Sequence, residues 1–372
     1  MRPSSYPCHK PNRPAAPIFS NQGKVNQRNR FAFANPVSCI LVLSASLLLL
    51  SGCATHKLGS SGQRKTAGKT FIILGASSGF GRGVAEQLGA YKANVVLAAR
   101  RTELLETIAG KIRSAGGTAL VVTTDISKPE DVQRLAETAV NQYGKIDVWI
   151  NMAGVGAIGR FWDIPLEDQA TVVDINLKGF VYGSYVAIKQ FRTQGYGTLI
   201  NMGSVESENP LAYHATYAAT KGGVLNLGQA LNQELRLNGH KKIKVVTVEP
   251  WAVDTPFWGH AANYSGGTPR MAAMDPPDKV VNAVIRMSLR PRKELPVGWK
   301  ARSTSIFHNL FPHFTERMSA NVVHKYQIEK APPAASTPGS LYEPMQSGTG
   351  VDDGVRKRIK QEKKEMRKKK EG

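Results

Sequence analysis

Tyr217 and Lys221 stand four residues apart, so on a helix they share one face, one turn from each other. That pairing can do acid–base chemistry. A free tyrosine titrates near ~10 and carries protons poorly at neutral pH. An ammonium one turn away favours the phenolate and brings the hydroxyl into range. The same spacing recurs at Tyr185 and Lys189, so the pattern alone does not choose between them. Ser204, in Asn201-Met202-Gly203-Ser204, lies thirteen residues before Tyr217; Val172, with no hydroxyl, holds that place before Tyr185.

A second cluster, Gly75-Ala76-Ser77-Ser78-Gly79-Phe80-Gly81, suits phosphate binding. Glycines let the backbone turn tightly beside a pyrophosphate, and the free N–H groups opening the next helix stabilise its charge. Such a cluster is informative only with a strand before it and a helix after it. The apolar run Thr70–Leu74 and the helical spacing of residues 82–92 supply both. One strand later the chain reads Leu97-Ala98-Ala99-Arg100-Arg101. An acid at this strand end bonds the ribose 2′-OH of NAD, whereas an arginine suits the 2′-phosphate of NADP. Ala99 stands where the acid is expected and Arg100 follows it, which points to NADP(H).

The elements that must position these groups alternate regularly. Strands are expected at Thr70–Leu74, Asn94–Ala99, Thr118–Thr123, 146–151, Gly197–Met202 and 243–248, with a short seventh at 295–297. Helices are expected at 82–92, 102–115, Pro129–Tyr143, 166–192 and 214–237. Apolar strands separated by helices of ten or more residues imply a parallel sheet covered on both faces. The expectation is a single α/β domain over residues 67–330, a Rossmann-like doubly wound parallel sheet.

Composition narrows the function further. With 372 residues and 41% hydrophobic content the chain can bury a sizeable core. Its net charge of +21 gathers partly at the ends: residues 1–53 hold six Lys/Arg and no acid, and residues 331–372 hold ten against six. Elsewhere the signs are mixed, and no zinc-finger, RNP-type or helix-turn-helix pattern appears, so nucleic acid is not an expected partner. The three cysteines, Cys8, Cys39 and Cys53, all precede the body. Neither a disulfide framework nor a cysteine zinc site is expected there, and no metal is assigned.

In order along the chain, these motifs resemble the short-chain dehydrogenase/reductase family. The first turn has its G-x-x-x-G-x-G spacing, Asp125-Ile126 follows the third strand, and Asn151-Met152-Ala153-Gly154 follows the fourth. Asn176 lies in a helix, Ser204 precedes Tyr217 at the family's spacing, and Pro250-Trp251-Ala252-Val253-Asp254-Thr255 follows the catalytic helix. Three positions depart from the family's usual residues: Leu74 for Thr, Met152 for the second Asn, and Trp251 for Gly. The resemblance implies that Gly75, Ser77, Ser78, Gly79, Phe80, Gly81 and Arg100 hold the cofactor's phosphates. It gives Asp125 and Ile126 to the adenine, and Asn151, Ala153, Gly154, Pro250 and Thr255 to the rest of the dinucleotide. The catalytic set it implies is Asn176, Ser204, Tyr217 and Lys221, with Tyr185 a structural match only. Ser204 and Tyr217 would hold a carbonyl oxygen, Tyr217 would give the proton, Lys221 would fix the ribose and tune Tyr217 with help from the oxidised nicotinamide's charge, and Asn176 would hold a relay water.

The expected function is thus NADP(H)-dependent hydride transfer between the nicotinamide and a small carbonyl or secondary alcohol compound. Val155, Val205, Phe257 and Trp258 would give that substrate an apolar pocket, with Glu206 adding polarity. A non-catalytic NADP-binding sensor or scaffold on the same fold is the alternative, and assembly into a homo-oligomer is left open. Ahead of the body, residues 1–36 read as disordered. The apolar run 37–50 follows Arg28 and Arg30 and ends Leu50-Ser51-Gly52-Cys53, which resembles a bacterial lipobox. This predicts a signal segment over 1–53, lipidation at Cys53, a polar linker over 54–66 and a lipid-anchored place in the bacterial cell envelope. A membrane-anchored cytoplasmic enzyme is the other reading of the run. Residues 331–372, Pro/Ala/Ser-rich and then a Lys/Glu run, are expected to form a solvated, basic, disordered tail with some helix.

Overall fold

The structure, a computed structural model, describes residues 55–371. The expected signal segment and lipidation site at Cys53 lie outside the described residues. Among these described residues nine strands occur in chain order: β1 Thr70–Leu74, β2 Asn94–Ala99, β3 Thr118–Thr123, β4 Val148–Asn151, β5 Ala157–Ile158, β6 Gly197–Met202, β7 Ile243–Pro250, β8 Ala262–Asn263 and β9 Glu294–Val297. Seven form one parallel sheet in the order β3-β2-β1-β4-β6-β7-β9, while β5 and β8 pair with each other. All five residues of β1 are buried, as a central strand covered on both faces requires. Its Ile72 sits level with Val96 on one side and Trp149 on the other. The winding reverses between β1 and β4, and in open α/β sheets that crevice beyond the strand ends is where ligands bind.

Among the described residues twelve helices surround the sheet: α1 Ser60–Thr66, α2 Gly79–Ala90, α3 Thr102–Ser114, α4 Pro129–Tyr143, α5 Leu166–Val173, α6 Gly179–Gln194, α7 Ala215–Leu237, α8 Phe257–His260, α9 Asp278–Leu289, α10 Gly298–Leu310, α11 Pro312–Val323 and α12 Val355–Glu371. The amphipathic pattern explains how they pack. α4 buries Val132, Leu135, Ala136 and Ala139 along one stripe, begins at Pro129 with Glu130 and Asp131 in its first turn, and ends at left-handed Gly144. The long helix expected over 166–192 is continuous, but it contains a π-helical turn, Asp174–Lys178, between α5 and α6. Such turns shift the side-chain register locally and often mark functional positions; this one carries Asn176. Strand β4 starts at Val148, two residues later than its apolar run suggests.

Two expectations about the ends are corrected. The segment expected to be a linker holds helix α1 and sends Leu58 into the main core. The tail is not disordered. Residues 332–337 bond along the 263–268 loop, with Asn263 and Thr337 exchanging backbone hydrogen bonds of 2.8 and 3.1 Å. Leu341 and Val355 are buried, and Arg270 grips Glu362 of α12 through two bonds of 2.5 and 2.9 Å. A few widely spaced apolar side chains and long-range backbone partners order this segment. Neither feature gives a local hydrophobic period, which is why composition suggests solvation.

Candidate active site

β1 ends at the glycine loop, and the loop's shape is set by contact. Gly75 has φ +107°, and a Cβ there would stand 2.5 Å from the Ala153 nitrogen. A Cβ on Gly81 would lie 2.0 Å from the Gly75 carbonyl oxygen. Only glycine allows α2 to start this close to the strand ends, which is the approach a pyrophosphate needs. The loop therefore fits a nicotinamide dinucleotide. The Gly79 N–H at the head of α2 donates to the Gly350 carbonyl at 2.9 Å, so the C-terminal segment crosses directly over the loop.

Arg100 and Arg101 leave the end of β2 for different partners. Arg100 donates to the carbonyls of Ser340 at 2.7 Å, Tyr342 at 2.8 Å and Leu341 at 3.3 Å. Arg101 donates to the hydroxyls of Ser77 at 2.8 Å and Ser78 at 2.9 Å, and to the Met345 carbonyl at 2.9 Å. Arg100, expected to hold a cofactor phosphate, lines the cleft as well. Its guanidinium is committed to the crossing segment, and Arg101 is the cation held against the glycine loop. Burial, then the neighbouring Arg100, press Arg101 below the usual arginine range, the condition in which an anion is most welcome.

Asn151 and Asn176 are bonded to other residues of the protein. Asn151 is fully buried, accepts from Trp149 Nε1 at 2.7 Å and donates to Asn201 Oδ1 at 2.8 Å. It ties β4 to β6 and does not line the cleft. Asn176 accepts from the Val155 N–H at 2.9 Å and donates to the Val155 carbonyl at 2.8 Å. Both ends of its amide clamp one residue of the pocket wall, so it is a positioning residue here.

The remaining expected residues converge. Ser204, Tyr217 and Lys221 line one cleft of about 250 Å³ together with the glycine loop, Asp125, Ile126, Ala153, Gly154, Pro250 and Thr255. Val155, Val205, Phe257 and Trp258 line it too, while Tyr185 is 62% exposed on α6 with Lys189 over its ring. Ser204 caps the short turn Val205–Ser207, accepting from the Glu206 N–H at 3.1 Å. Lys221 Nζ donates to the Met202 carbonyl at 2.8 Å and lies 5.6 Å from the centre of the Tyr217 ring.

The electrostatics revise one expectation. Burial brings Lys221 down to about 7, against the pull of the Glu206 carboxylate. Tyr217 is pushed above its ordinary value, first by burial and then by Glu206, while a hydrogen bond to Ser204 acts the other way. In the protein alone Lys221 does not lower Tyr217; the phenol is held neutral. Sequence reasoning also missed Arg101 and His214. The His214 Nδ1 sits 3.1 Å from Glu206 Oε1, edge-on to Tyr217, and only its closeness to Tyr217 in the chain could have flagged it.

Comparison with known proteins agrees with this geometry. The profile of the short chain dehydrogenase family matches residues 69–264. The uncharacterized oxidoreductase YxnA of Bacillus subtilis (strain 168) is 30% identical over 293 residues, covering 78% of this chain and 81% of that relative. An uncharacterized oxidoreductase of Listeria monocytogenes is 36% identical over 187 residues, 50% of this chain and 75% of the relative. Among solved structures, an alcohol dehydrogenase from the archaeon Thermococcus sibiricus, complexed with 5-hydroxy-NADP, is similar with a TM-score of 0.54 at 26% identity, over 61% of this chain and 94% of that one. A metagenomic short-chain oxidoreductase in complex with NADP gives 0.52 at 25%, over 62% and 97%. The family match spans more than half of the chain and the seven-stranded parallel sheet agrees with it: this protein belongs to the short-chain dehydrogenase family, oxidoreductases of CH–OH and C=O groups that use a nicotinamide cofactor.

Proposed function

We propose that the protein is an NADP(H)-dependent oxidoreductase that interconverts a carbonyl compound and a secondary alcohol, with Tyr217 as acid and base. The observation that carries this reading is continuity: a single cleft joins the glycine loop to Ser204, Tyr217 and Lys221. A dinucleotide held between that loop and Thr255 supplies or removes the hydride when bound. The rest falls to side chains. Ser204 and Tyr217 hold the carbonyl oxygen, and a neutral phenol is the form able to donate a proton as that oxygen gains charge in reduction. Lys221, fixed on the Met202 carbonyl, holds the ribose and places its charge beside the phenolate left behind. Asn176 keeps Val155 in the wall of the pocket.

NADP(H) is favoured over NAD(H) by Ala99 in the acid's place and by Arg101 on Ser77 and Ser78. Two of the solved relatives carry NADP or a derivative of it. Phe257 and Trp258 suit a substrate with an apolar body. Location belongs to the same reading: Leu50-Ser51-Gly52-Cys53 makes Cys53 the acylated residue of an envelope protein. NADPH oxidation across a panel of apolar ketones and aldehydes is the test, with NADH about tenfold or more less effective because it forgoes a charge-assisted contact. NADPH binding without turnover on any member would overturn the enzymatic reading and leave a sensor.

A further inference from the structure

Glu206 and Trp251 line the cleft, and each carries a buried polar atom that the protein itself does not satisfy. Glu206 lies in the short turn Val205–Ser207, two residues after Ser204, with its side chain only 8% exposed. Its Oε1 bonds the His214 Nδ1 at 3.1 Å, whereas its Oε2 has no hydrogen-bond partner among the described residues. The Trp251 Nε1 likewise has no acceptor among them. β6 and β7 are paired with Met202 level with Val248, so Glu206 and Trp251 follow adjacent strand ends, beside Ser204. An unpaired buried polar atom is destabilising, a charged one more so, and such atoms in a cleft point to a ligand that completes them.

His214 holds the carboxylate from behind. It is buried, does not line the cleft, and stands edge-on to Tyr217 with ring centres 6.3 Å apart. Facing a carboxylate, which only accepts, its Nδ1 carries the hydrogen. That bond occupies one oxygen of Glu206 and leaves the other for the cleft. The backbone end is fixed as well, since the Glu206 N–H donates to Ser204 Oγ at 3.1 Å. The free acceptor is thereby tied to the residue assigned above to the substrate's carbonyl oxygen.

We propose that Glu206 is a specificity-determining residue that accepts a hydrogen bond from a hydroxyl on the substrate, close to its carbonyl, so that the enzyme interconverts hydroxy ketones and diols. The inference rests on the oxidoreductase reading above and names its substrate class. Hydride and proton add across the C=O group as before, and the substrate's own hydroxyl keeps its bonds. A hydroxyl can donate to Glu206 Oε2 and accept from Trp251 Nε1, whereas an ammonium has no lone pair and a plain ketone no donor. Phe257 and Trp258 receive the apolar remainder.

The test measures NADPH-dependent turnover of acetophenone, α-hydroxyacetophenone and α-methoxyacetophenone by the full chain. The methyl ether keeps the electron-withdrawing oxygen and removes the donor. For the hydroxy ketone kcat/KM should exceed that for the ether by about tenfold or more, the scale of one charge-assisted hydrogen bond. Glu206→Gln keeps the shape of the side chain, removes its charge, and should bring that ratio to within about threefold of one. Any accompanying change in Tyr217 cancels in the ratio, because both ketones use the same proton donor. A wild-type ratio near one, or a ratio that survives Glu206→Gln, would overturn the inference and keep the oxidoreductase. A stronger preference for α-aminoacetophenone would overturn the assignment to a hydroxyl. If none of these ketones is turned over, calorimetry on the NADPH complex decides. Binding of the hydroxy ketone but not the ether, lost in Glu206→Gln, would support the site without the reaction, and absence of selective binding would overturn it.

Discussion

Arg101 donates a 2.8 Å hydrogen bond to the Ser77 hydroxyl, and so plants a half-buried cation against the loop that opens α2. Its neighbour Arg100 faces carbonyls of the C-terminal segment instead. Two adjacent arginines thus have separable roles. Arg101→Ala is expected to weaken NADPH binding by roughly 10- to 100-fold, the scale of a charge-assisted contact, with little effect on NADH. Arg100→Ala should weaken both cofactors to a similar degree, because it loosens the segment crossing the loop. Titration of each variant with both cofactors separates the cases; selective NADPH loss in Arg100→Ala would reverse the assignment.

Tyr217→Phe keeps the ring that packs on Phe257 and removes the hydroxyl beside Ser204. Turnover should fall by about a thousandfold, within the range for losing an acid–base group, with NADPH affinity retained. Tyr185→Phe, on the exposed face of α6, should change neither. Steady-state rates and cofactor titrations on both variants check the pair.

Glu249 on β7 is buried and both of its carboxylate oxygens lack a hydrogen-bond partner. Burial, then Glu208 and Glu294, push it from the usual 4.5 up to about 8. The folded chain therefore keeps a proton that the unfolded chain loses near 4.5. The stability this gives is complete below 4.5 and lost as pH rises through 8. Glu249→Gln should match the wild type in Tm at pH ~5 and exceed it at pH ~9, on a scale of about 1.4 kcal/mol per pKa unit. Parallel Tm–pH curves for the two proteins would contradict this.

How much of this is legible in the sequence depends on the distance between partners. Phe71-Ile72-Ile73-Leu74 announces a buried parallel strand because every position needs an apolar side chain. Ser204, Tyr217 and Lys221 are legible because one strand end and one following helix position all three. Arg100 and Arg101 look interchangeable, since what distinguishes them is contact with residues some 240 positions downstream. Asn151 occupies a motif position, yet its role is decided by Asn201 on the neighbouring strand. The spacing predicts that Lys221, together with the oxidised nicotinamide, lowers Tyr217; in the protein alone Tyr217 is raised by the burial of its hydroxyl and by the Glu206 charge. None of these is a local property of the chain.

The family match ends at residue 264, whereas the roof of the cleft is built from residues 340–350. The limit of the family profile and the limit of the cleft are therefore different lines. A chain cut at residue 330 would keep Ser204, Tyr217 and Lys221 in sequence, yet it would strip Arg100 of three carbonyls and take Leu341 out of the core. It would also free the Gly79 N–H and uncover the glycine loop. Shorter members of the family are consequently poor stand-ins for how firmly this protein grips its dinucleotide.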